Sequence, residues 1–193
     1  MIAILLLAAG QSARMQGRDK LLEKVGDQPV LALLASRALA VGPVYVTLPS
    51  PDHPRCAVLP AAANRVFVQD PHMGMSASLR AGIAGLPNDV SGVIILPADM
   101  PDITEQDLAA VRQRALDTDA AIIRAATPDG RFGHPTYFAA SQFPRFADLT
   151  GDRGGAVLFK HMGQLTQTVT LDGDRAVLDL DTPEDWAAYR RRP

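Results

Sequence analysis

The chain has 193 residues, and 47% of them are hydrophobic, which is enough apolar material for one compact domain spanning residues 1–193. Its formal net charge of -2 and its pI near 6.0 argue against binding to nucleic acid, because such binding needs many clustered Lys and Arg residues. The single cysteine, Cys56, excludes an internal disulfide framework and favours a reducing compartment, so we expect a cytoplasmic protein.

The apolar segment at the start of the chain invites comparison with a signal peptide. No basic region precedes it, and it ends in a loop that contains Gly10 together with polar and basic residues. These features favour a buried first strand over Ile2 to Leu7. No apolar run reaches the roughly 20 residues of a membrane span, so no contact with a membrane is expected.

Short aliphatic runs alternate with longer segments of helical periodicity along the chain. Strands are predicted over Ile2 to Leu7, Val44 to Leu48, Arg65 to Val68, Gly92 to Leu96 and Ala120 to Arg124, with weaker ones over Thr136 to Phe138, Gln167 to Leu171 and Ala176 to Leu180. Helices are predicted over Pro29 to Val41, Ser76 to Leu86, Thr104 to Leu116, Gly154 to Met162 and Pro183 to Arg191. This alternation is typical of an α/β fold, with a mostly parallel sheet covered on both faces in three layers.

The loop after the first strand is the first candidate ligand site, because open α/β sheets bind ligands beyond the carboxyl ends of their strands. It combines the small residues Ala8, Ala9 and Gly10 with the cations Arg14 and Lys20. Small residues let the backbone approach a ligand closely, and two cations in one loop suit a triphosphate. Neither GxGxxG nor GxxxxGK[ST] is present, so this is another kind of nucleotide loop or an ordinary surface turn.

Two aspartates follow predicted strands. Asp99 lies in the segment LPADMP directly after a strongly apolar strand, and Asp181 precedes the last predicted helix. Carboxylates so placed can ligate Mg²⁺, a hard cation that takes oxygen ligands, and Asp181 completes a two-carboxylate site if the two strands lie close together. Alternatively, Asp99 is a turn or cap aspartate, and Asp181 is an acid stabilised by the dipole of a helix.

Two further segments carry candidate substrate-binding residues. Met75, Ser76 and Ser78 lie at a helix start, where free N–H groups can receive a phosphate or a base carbonyl, although Ser76 is equally suited to be an N-cap. Gly133 and His134 precede a proline and an aromatic strand start, where a histidine can contact an anion or a ring, or can be an ordinary loop residue. Neither His53 nor His161 has a metal-ligand partner at helical or CxxC-like spacing, which disfavours zinc.

Six segments in chain order resemble the molybdenum cofactor nucleotidyltransferases, which are MobA-like NTP transferases, and in particular their cytidylyltransferase (MocA) branch. They run from Leu6 to Trp186 and read LLAAGQSARMQGRDKLL, HMGMSASLRAGI, LPADMP, GHP, GDRGGA and LDLDTPEDW. The resemblance implies a Rossmann-like fold of the nucleotide-diphospho-sugar transferase type. It also implies transfer of CMP from CTP to molybdopterin, with Mg²⁺ as cofactor and release of pyrophosphate, and a xanthine-dehydrogenase-type molybdoenzyme as user of the product.

The resemblance also assigns roles to residues. The segment from Leu7 to Gly10 holds the nucleotide, Lys20 neutralises phosphate charge, and the stretch from Met75 to Ser78 lies near the base, while the acid at position 99 binds Mg²⁺. Alanine at position 9 favours CTP, because the guanylyl branch usually has glycine there. One residue departs from the pattern, since Gln16 stands where the family commonly has glycine.

In the expected mechanism the nucleophile is a phosphate monoester, whose second pKa of about 6 leaves it largely dianionic at neutral pH without a general base. Arg14 and Lys20 offset the charge of the departing pyrophosphate, while Asp99, with Asp181, holds Mg²⁺. Two alternatives stay open: a related transferase that uses GTP or acts on a sugar or isoprenoid phosphate, and a carrier of the pterin cofactor without turnover. Arg14, Lys20 and Asp99 together favour an enzyme, because a carrier has no use for a metal site.

Overall fold

The computed structural model describes residues 1–151, 158–159 and 166–192. Its strands are β1 (Ile2–Leu7), β2 (Lys24–Val25), β3 (Gln28–Pro29), β4 (Val44–Leu48), β5 (Asn64–Phe67), β6 (Gly92–Pro97), β7 (Ile122–Ala126), β8 (Phe132–Ala139) and β9 (Thr166–Thr170). Its α-helices are α1 (Val30–Leu39), α2 (Arg55–Val58), α3 (Met75–Ala84), α4 (Glu105–Asp117) and α5 (Pro183–Tyr189). Short 3₁₀ helices cover Ala13–Met15, Lys20–Leu22, Pro71–Met73 and Ala140–Phe146.

Seven strands form one sheet in the order β5-β4-β1-β6-β8-β7-β9, and β2 pairs with β3 in a separate hairpin. In the described part of the chain, β8 is antiparallel to both of its neighbours, and every other pairing in the large sheet is parallel. The predicted α/β class with a mostly parallel sheet is therefore confirmed. The chain winds outward from β1 to β5 and returns to β6 on the other side of β1, so the strand order reverses between β1 and β6, where such sheets bind ligands.

The central strand β1 forms because it can be buried on both faces. Ile2, Ile4 and Leu6 pack into one apolar cluster, while Ala3 and Leu5 pack into a second cluster on the opposite face. Complete burial of a Leu or Ile side chain stabilises a fold by about 1.5–3 kcal/mol, so a polar substitution in this strand would be costly. The continuous apolar pattern of β1 thus fixes the middle layer of the protein.

The helices follow the expected caps and amphipathic faces. Thr104 and Thr182 each form a capping box with the aspartate three residues later, which starts α4 and α5 where the sequence predicts. Trp186 on α5 is fully buried and ties the end of the chain to the core. None of the described helices combines the length and apolar character needed to cross a bilayer.

Most predicted elements are confirmed within a few residues, but the weak strand prediction over Ala176 to Leu180 is wrong. Residues 173–177 form turns, in which the N–H groups of Val177 and Leu178 donate to the carbonyl of Asp174. Ala176 and Leu180 still bury their side chains in the core, so the apolar pattern reflects burial rather than strand pairing. The predicted helix Gly154 to Met162 falls outside the described residues, apart from 158–159.

Candidate active site

The loops after β1 and β6, together with the segment before α5, meet at one edge of the sheet. The N–H of Ala98 donates to the carbonyl of Leu7 at 3.1 Å, which joins the ends of the two strands. The N–H of Leu180 donates to the carbonyl of Asp99 at 3.0 Å, which joins the segment before α5 to the loop after β6. These two backbone bonds bring Asp99 and Asp181 to the same place.

Lys20 lies between the two aspartates. Its Nζ donates to a carboxylate oxygen of Asp99 and to Oδ1 of Asp181, the latter at 2.6 Å. Arg14 donates to the other oxygen of Asp181. Burial alone would lower the pKa of Lys20, but the carboxylates of Asp99 and Asp181 outweigh this effect and raise it. The ammonium of Lys20 therefore stays charged at neutral pH.

A first cavity of about 520 Å³ opens above this cluster, within the range of small-molecule sites. Its walls come from the loop after β1, the start of α3 and the ends of β1 and β6. Of the residues predicted to bind the nucleotide or metal, eight line it: Leu7, Ala9, Gly10, Arg14, Met75, Ser78, Asp99 and Asp181. The structure thus gathers most of the predicted site around one space.

Three other predicted residues lie outside the walls of that cavity. Ala8 is fully buried, and its carbonyl accepts a hydrogen bond from Arg55. Ser76 is also fully buried, and its hydroxyl donates to the carbonyl of Gly151 at 2.5 Å. Lys20 reaches the site only through its contacts with the two aspartates.

A second cavity of about 480 Å³ adjoins the first and contains Gly133 and His134. The two cavities share Arg14, Met75, Pro97, Asp99 and Asp181, so the charged cluster lies at their junction. Burial lowers the pKa of His134, which keeps the imidazole neutral, and its Nδ1 lies 3.4 Å from the carbonyl oxygen of Ile95. This histidine can contact a ligand as a neutral ring.

Asp179 also faces the second cavity. Its partial burial, followed by the nearby carboxylates of Asp181 and Asp99, raises the pKa of this side chain. Burial and the two neighbouring carboxylates thus disfavour the ionised form of Asp179. The sequence marks Asp179 only as part of a cluster of acids, because the distances that perturb its pKa depend on the fold.

Gly133 is required by packing at the wall of the second cavity. A Cβ atom at this position would lie 1.7 Å from the carbonyl oxygen of Ala176. The N–H of the next residue, His134, donates to that same carbonyl at 2.8 Å. The turn that carries Asp179 and Asp181 toward the cluster therefore rests directly on the start of β8.

The carboxylate of Asp99 fits a metal ligand. Its Oδ1 is buried and has no hydrogen-bond partner within the described residues, whereas its Oδ2 accepts from Lys20. The described part of the chain contains no group of three or more His, Cys, Asp or Glu residues arranged to hold a metal ion. A cation held by Asp99 and Asp181 would complete its shell with water and substrate oxygens, as Mg²⁺ commonly does.

Two features of the site could not be found from sequence patterns. Arg55 on α2 is 1% exposed and donates hydrogen bonds to the loop after β1, residues 8–20, which we call the first loop. Gln11 and the ring of His72 are hydrogen-bonded to each other and join the first loop to the loop after β5, at the wall of the first cavity. An isolated arginine between Pro54 and Cys56 carries no periodicity or motif, so nothing in the sequence signals its role.

Comparison with known proteins places the chain in a family. Residues 4–168 match the family model of the MobA-like NTP transferase domain. The crystal structure of Rv0371c from Mycobacterium tuberculosis H37Rv is 28% identical, with a TM-score of 0.86 over 100% of both chains. A structure of Rv0371C from the same organism in complex with manganese is 26% identical, with a TM-score of 0.79 over 97% of this chain and 96% of that chain.

A curated relative is similar over a shorter stretch. The bifunctional protein GlmU of Mycobacterium sp. (strain KMS) is 27% identical over 142 residues. The match covers 68% of this chain but only 28% of that relative, so the chain spans about a quarter of its length. The family model, by contrast, matches most of this chain. The protein therefore belongs to the family of MobA-like NTP transferase domains and is a nucleotidyltransferase domain.

Proposed function

We propose that the protein transfers CMP from CTP to the terminal phosphate of molybdopterin, in a Mg²⁺-dependent reaction that releases pyrophosphate. The observation that carries this proposal is the contact of Lys20 with both Asp99 and Asp181 where two cavities meet. A nucleotide in the first cavity and a phosphorylated acceptor in the second would have their reacting phosphates at this junction. Holding two reactants in such a geometry is itself a large part of catalysis.

The chemistry needs little from the protein beyond position and charge. A phosphate oxygen of the acceptor attacks the α-phosphorus of CTP, a new P–O–P bond forms, the bond to the β-phosphate breaks, and pyrophosphate leaves. The acceptor phosphate is already largely dianionic, since its second pKa is about 6, so no general base is required. Arg14 and Lys20 stabilise the charge that builds on the leaving pyrophosphate.

Asp99 and Asp181 would hold Mg²⁺. The unpaired Oδ1 of Asp99 and the nearby Asp181 offer hard oxygen ligands. A divalent cation bound there supplies electrostatic stabilisation for triphosphate oxygens. The manganese in the complex of Rv0371C, which is similar in structure, supports a divalent cation in this protein.

The choice of base and acceptor rests on the resemblance of the six segments. Ala9 and Ser78 both line the first cavity, and alanine at position 9 is the pattern of the cytidylyl branch. Molybdopterin as acceptor is what the resemblance of the six segments, from Leu6 to Trp186, implies. We further propose that the product passes to a molybdoenzyme of the xanthine dehydrogenase type and that the reaction takes place in the cytoplasm, as the single cysteine favours.

The direct test is pyrophosphate release in the presence of molybdopterin and Mg²⁺, with CTP, GTP and ATP offered separately and the dinucleotide product identified. Lys20→Ala and Asp99→Ala should each lower turnover by about 10² or more, the usual cost of losing a preorganised charge-stabilising group. Lys24→Ala and Asp89→Ala are matched controls, because both side chains are exposed and lie outside both cavities. These controls should keep wild-type turnover.

The possible outcomes separate the alternatives. Faster turnover with GTP than with CTP would show that the protein prefers guanine to cytosine. Turnover with a sugar or isoprenoid phosphate would show that molybdopterin is not the acceptor. Tight binding of the pterin cofactor without release of pyrophosphate from any nucleotide would indicate a carrier. Near-normal turnover in both the Lys20 and Asp99 variants would refute the assigned roles.

A further inference from the structure

The guanidinium of Arg55 has a complete set of hydrogen bonds to the first loop. Its Nη1 donates to the carbonyls of Ala8 and Gly10, at 2.6 and 2.7 Å. Its Nε and Nη2 donate to the two carboxylate oxygens of Asp19, at 2.8 and 2.7 Å, and Nη2 also donates to the hydroxyl of Ser12 at 3.1 Å. All five N–H groups of the arginine are therefore used within the protein.

These bonds leave no donor of Arg55 for a substrate. The side chain is 1% exposed and does not line the first cavity. Burial alone would raise the pKa of Asp19, but the hydrogen bond and charge of Arg55 outweigh this effect and lower it, so the two residues form an ion pair. Arg55 consequently acts on the site through the loop and not through its own charge.

The orientation of two peptide units follows from these contacts. In a trans peptide the C=O and the following N–H point in opposite directions. The carbonyls of Ala8 and Gly10 point at Arg55, so the N–H groups of Ala9 and Gln11 point away from it. Both of these residues line the first cavity, and neither N–H donates a hydrogen bond within the described part of the chain. Unpaired backbone donors of this kind suit phosphate or base oxygens.

We propose that Arg55 is a positioning residue that presents the N–H groups of Ala9 and Gln11 to the nucleoside triphosphate and keeps Lys20 at the cluster. The second part follows from Asp19, which precedes Lys20 and is gripped by the same guanidinium. One side chain thus fixes both ends of the loop. This inference rests on the proposed function, because it requires a nucleotide in the first cavity.

The test measures the Kd for CTP with Mg²⁺ by calorimetry in Arg55→Lys and Arg55→Met, together with the KM for CTP and for the acceptor. Loss of a residue that orients binding groups typically lowers affinity by about 10- to 100-fold. The Kd for CTP should therefore rise by about that factor in both variants. The KM of the acceptor should change little. Lysine should not rescue affinity, since one ammonium cannot replace the planar fork.

Arg65→Met is the matched control. Arg65 also donates to backbone carbonyls, those of Cys56 in α2 and of Leu59 and Ala63 after it, but no hydrogen bond joins it to the first loop. This variant should bind CTP as the wild type does. Amide hydrogen exchange of residues 8–20 in the free protein adds a readout that needs no nucleotide, and exchange should quicken in the Arg55 variants only.

Removal of Arg55 leaves the carboxylate of Asp19 without its main partner and could unfold the protein. The double variant Arg55→Met with Asp19→Asn removes both charges and keeps a side-chain oxygen that can accept from the N–H of Leu21, so it should recover melting temperature relative to Arg55→Met. It should still bind CTP weakly. Wild-type affinity for CTP in this folded double variant would overturn the inference, while absence of nucleotide binding by the wild-type protein would refute the proposed function itself.

Discussion

The contact between Gly133 and Ala176 yields a prediction about the geometry of the candidate active site. Gly133→Ala places a methyl group 1.7 Å from the carbonyl oxygen of Ala176, whereas carbon and oxygen atoms in contact are normally more than 3 Å apart. The obstacle is backbone, so no side-chain rotation relieves it. Either β8 or the turn of residues 173–177 must move by about 1.3 Å or more, the difference between the two distances.

This displacement should affect both stability and turnover. Overpacking of this kind costs about 1–3 kcal/mol, which corresponds to a fall in melting temperature of roughly 2–12 °C for a chain of this length. The turn leads directly to Asp179 and Asp181, so movement of the turn shifts Asp181 relative to Lys20. Because a misplacement of about 1 Å can cost 10² in rate, we expect turnover to fall by about that factor.

The assay combines thermal unfolding with pyrophosphate release, measured well below the melting temperature. Gly173→Asn is the control in the same turn, because a Cβ there meets no atom within 4 Å and asparagine tolerates the left-handed φ of 58°. It should keep wild-type turnover. A Gly133→Ala variant with unchanged turnover would show that the position of the turn does not set the geometry of the site.

Three further predictions concern supporting residues. Thr182→Ala and Thr104→Ala each remove one capping box and should lower the free energy of unfolding by about 1 kcal/mol. Only Thr182→Ala should also lower turnover, because Thr182 directly follows Asp181. Equal turnover in the two variants would argue against this. Gln16 has a left-handed φ of 53°, so Gln16→Gly should leave the melting temperature unchanged or raise it, while Gln16→Val should lower it, as thermal unfolding can test. Burial, followed by the hydrogen bond to Asp102, raises the pKa of Tyr189 to about 12. The free energy of unfolding gained from this shift is fully present below about pH 10 and is lost as pH rises through 12. The free energy of unfolding of Tyr189→Phe, measured with urea, should therefore fall less over this pH range than that of the wild type.

The fold was accessible from the sequence because burial leaves a pattern that can be read locally. The continuous apolar run of β1 and the capping boxes at Thr104 and Thr182 each specify an element from neighbouring residues alone. The same pattern fails over Ala176 to Leu180. Its residues are buried in turns, and periodicity records burial without saying how the backbone bonds are satisfied.

The positions of the site residues could be predicted from the sequence only where these residues directly follow strands. Asp99 could be placed at an edge of the sheet because it directly follows a predicted strand, and carboxyl ends of parallel strands share an edge. The meeting of Asp181 with Lys20 depends on a turn of irregular backbone, which no local signal specifies. Ser76 and Ser78 are two residues apart on one helix, yet only Ser78 lines the first cavity. Such orientations are set by the packing of the helix and not by composition.

Under the proposed function, the charge balance of Lys20, Arg14, Asp99 and Asp181 predicts a need for a divalent cation. Lys20 and Arg14 contribute two positive charges, and Asp99 and Asp181 contribute two negative charges, so these four groups sum to zero. A triphosphate adds several negative charges at this point, and the cluster alone has no net charge to oppose them. Under the proposed function Mg²⁺ supplies the missing positive charge, so turnover should vanish with a chelator and return with Mg²⁺ or Mn²⁺. Turnover that persists without any divalent cation would mean that other cations oppose the triphosphate.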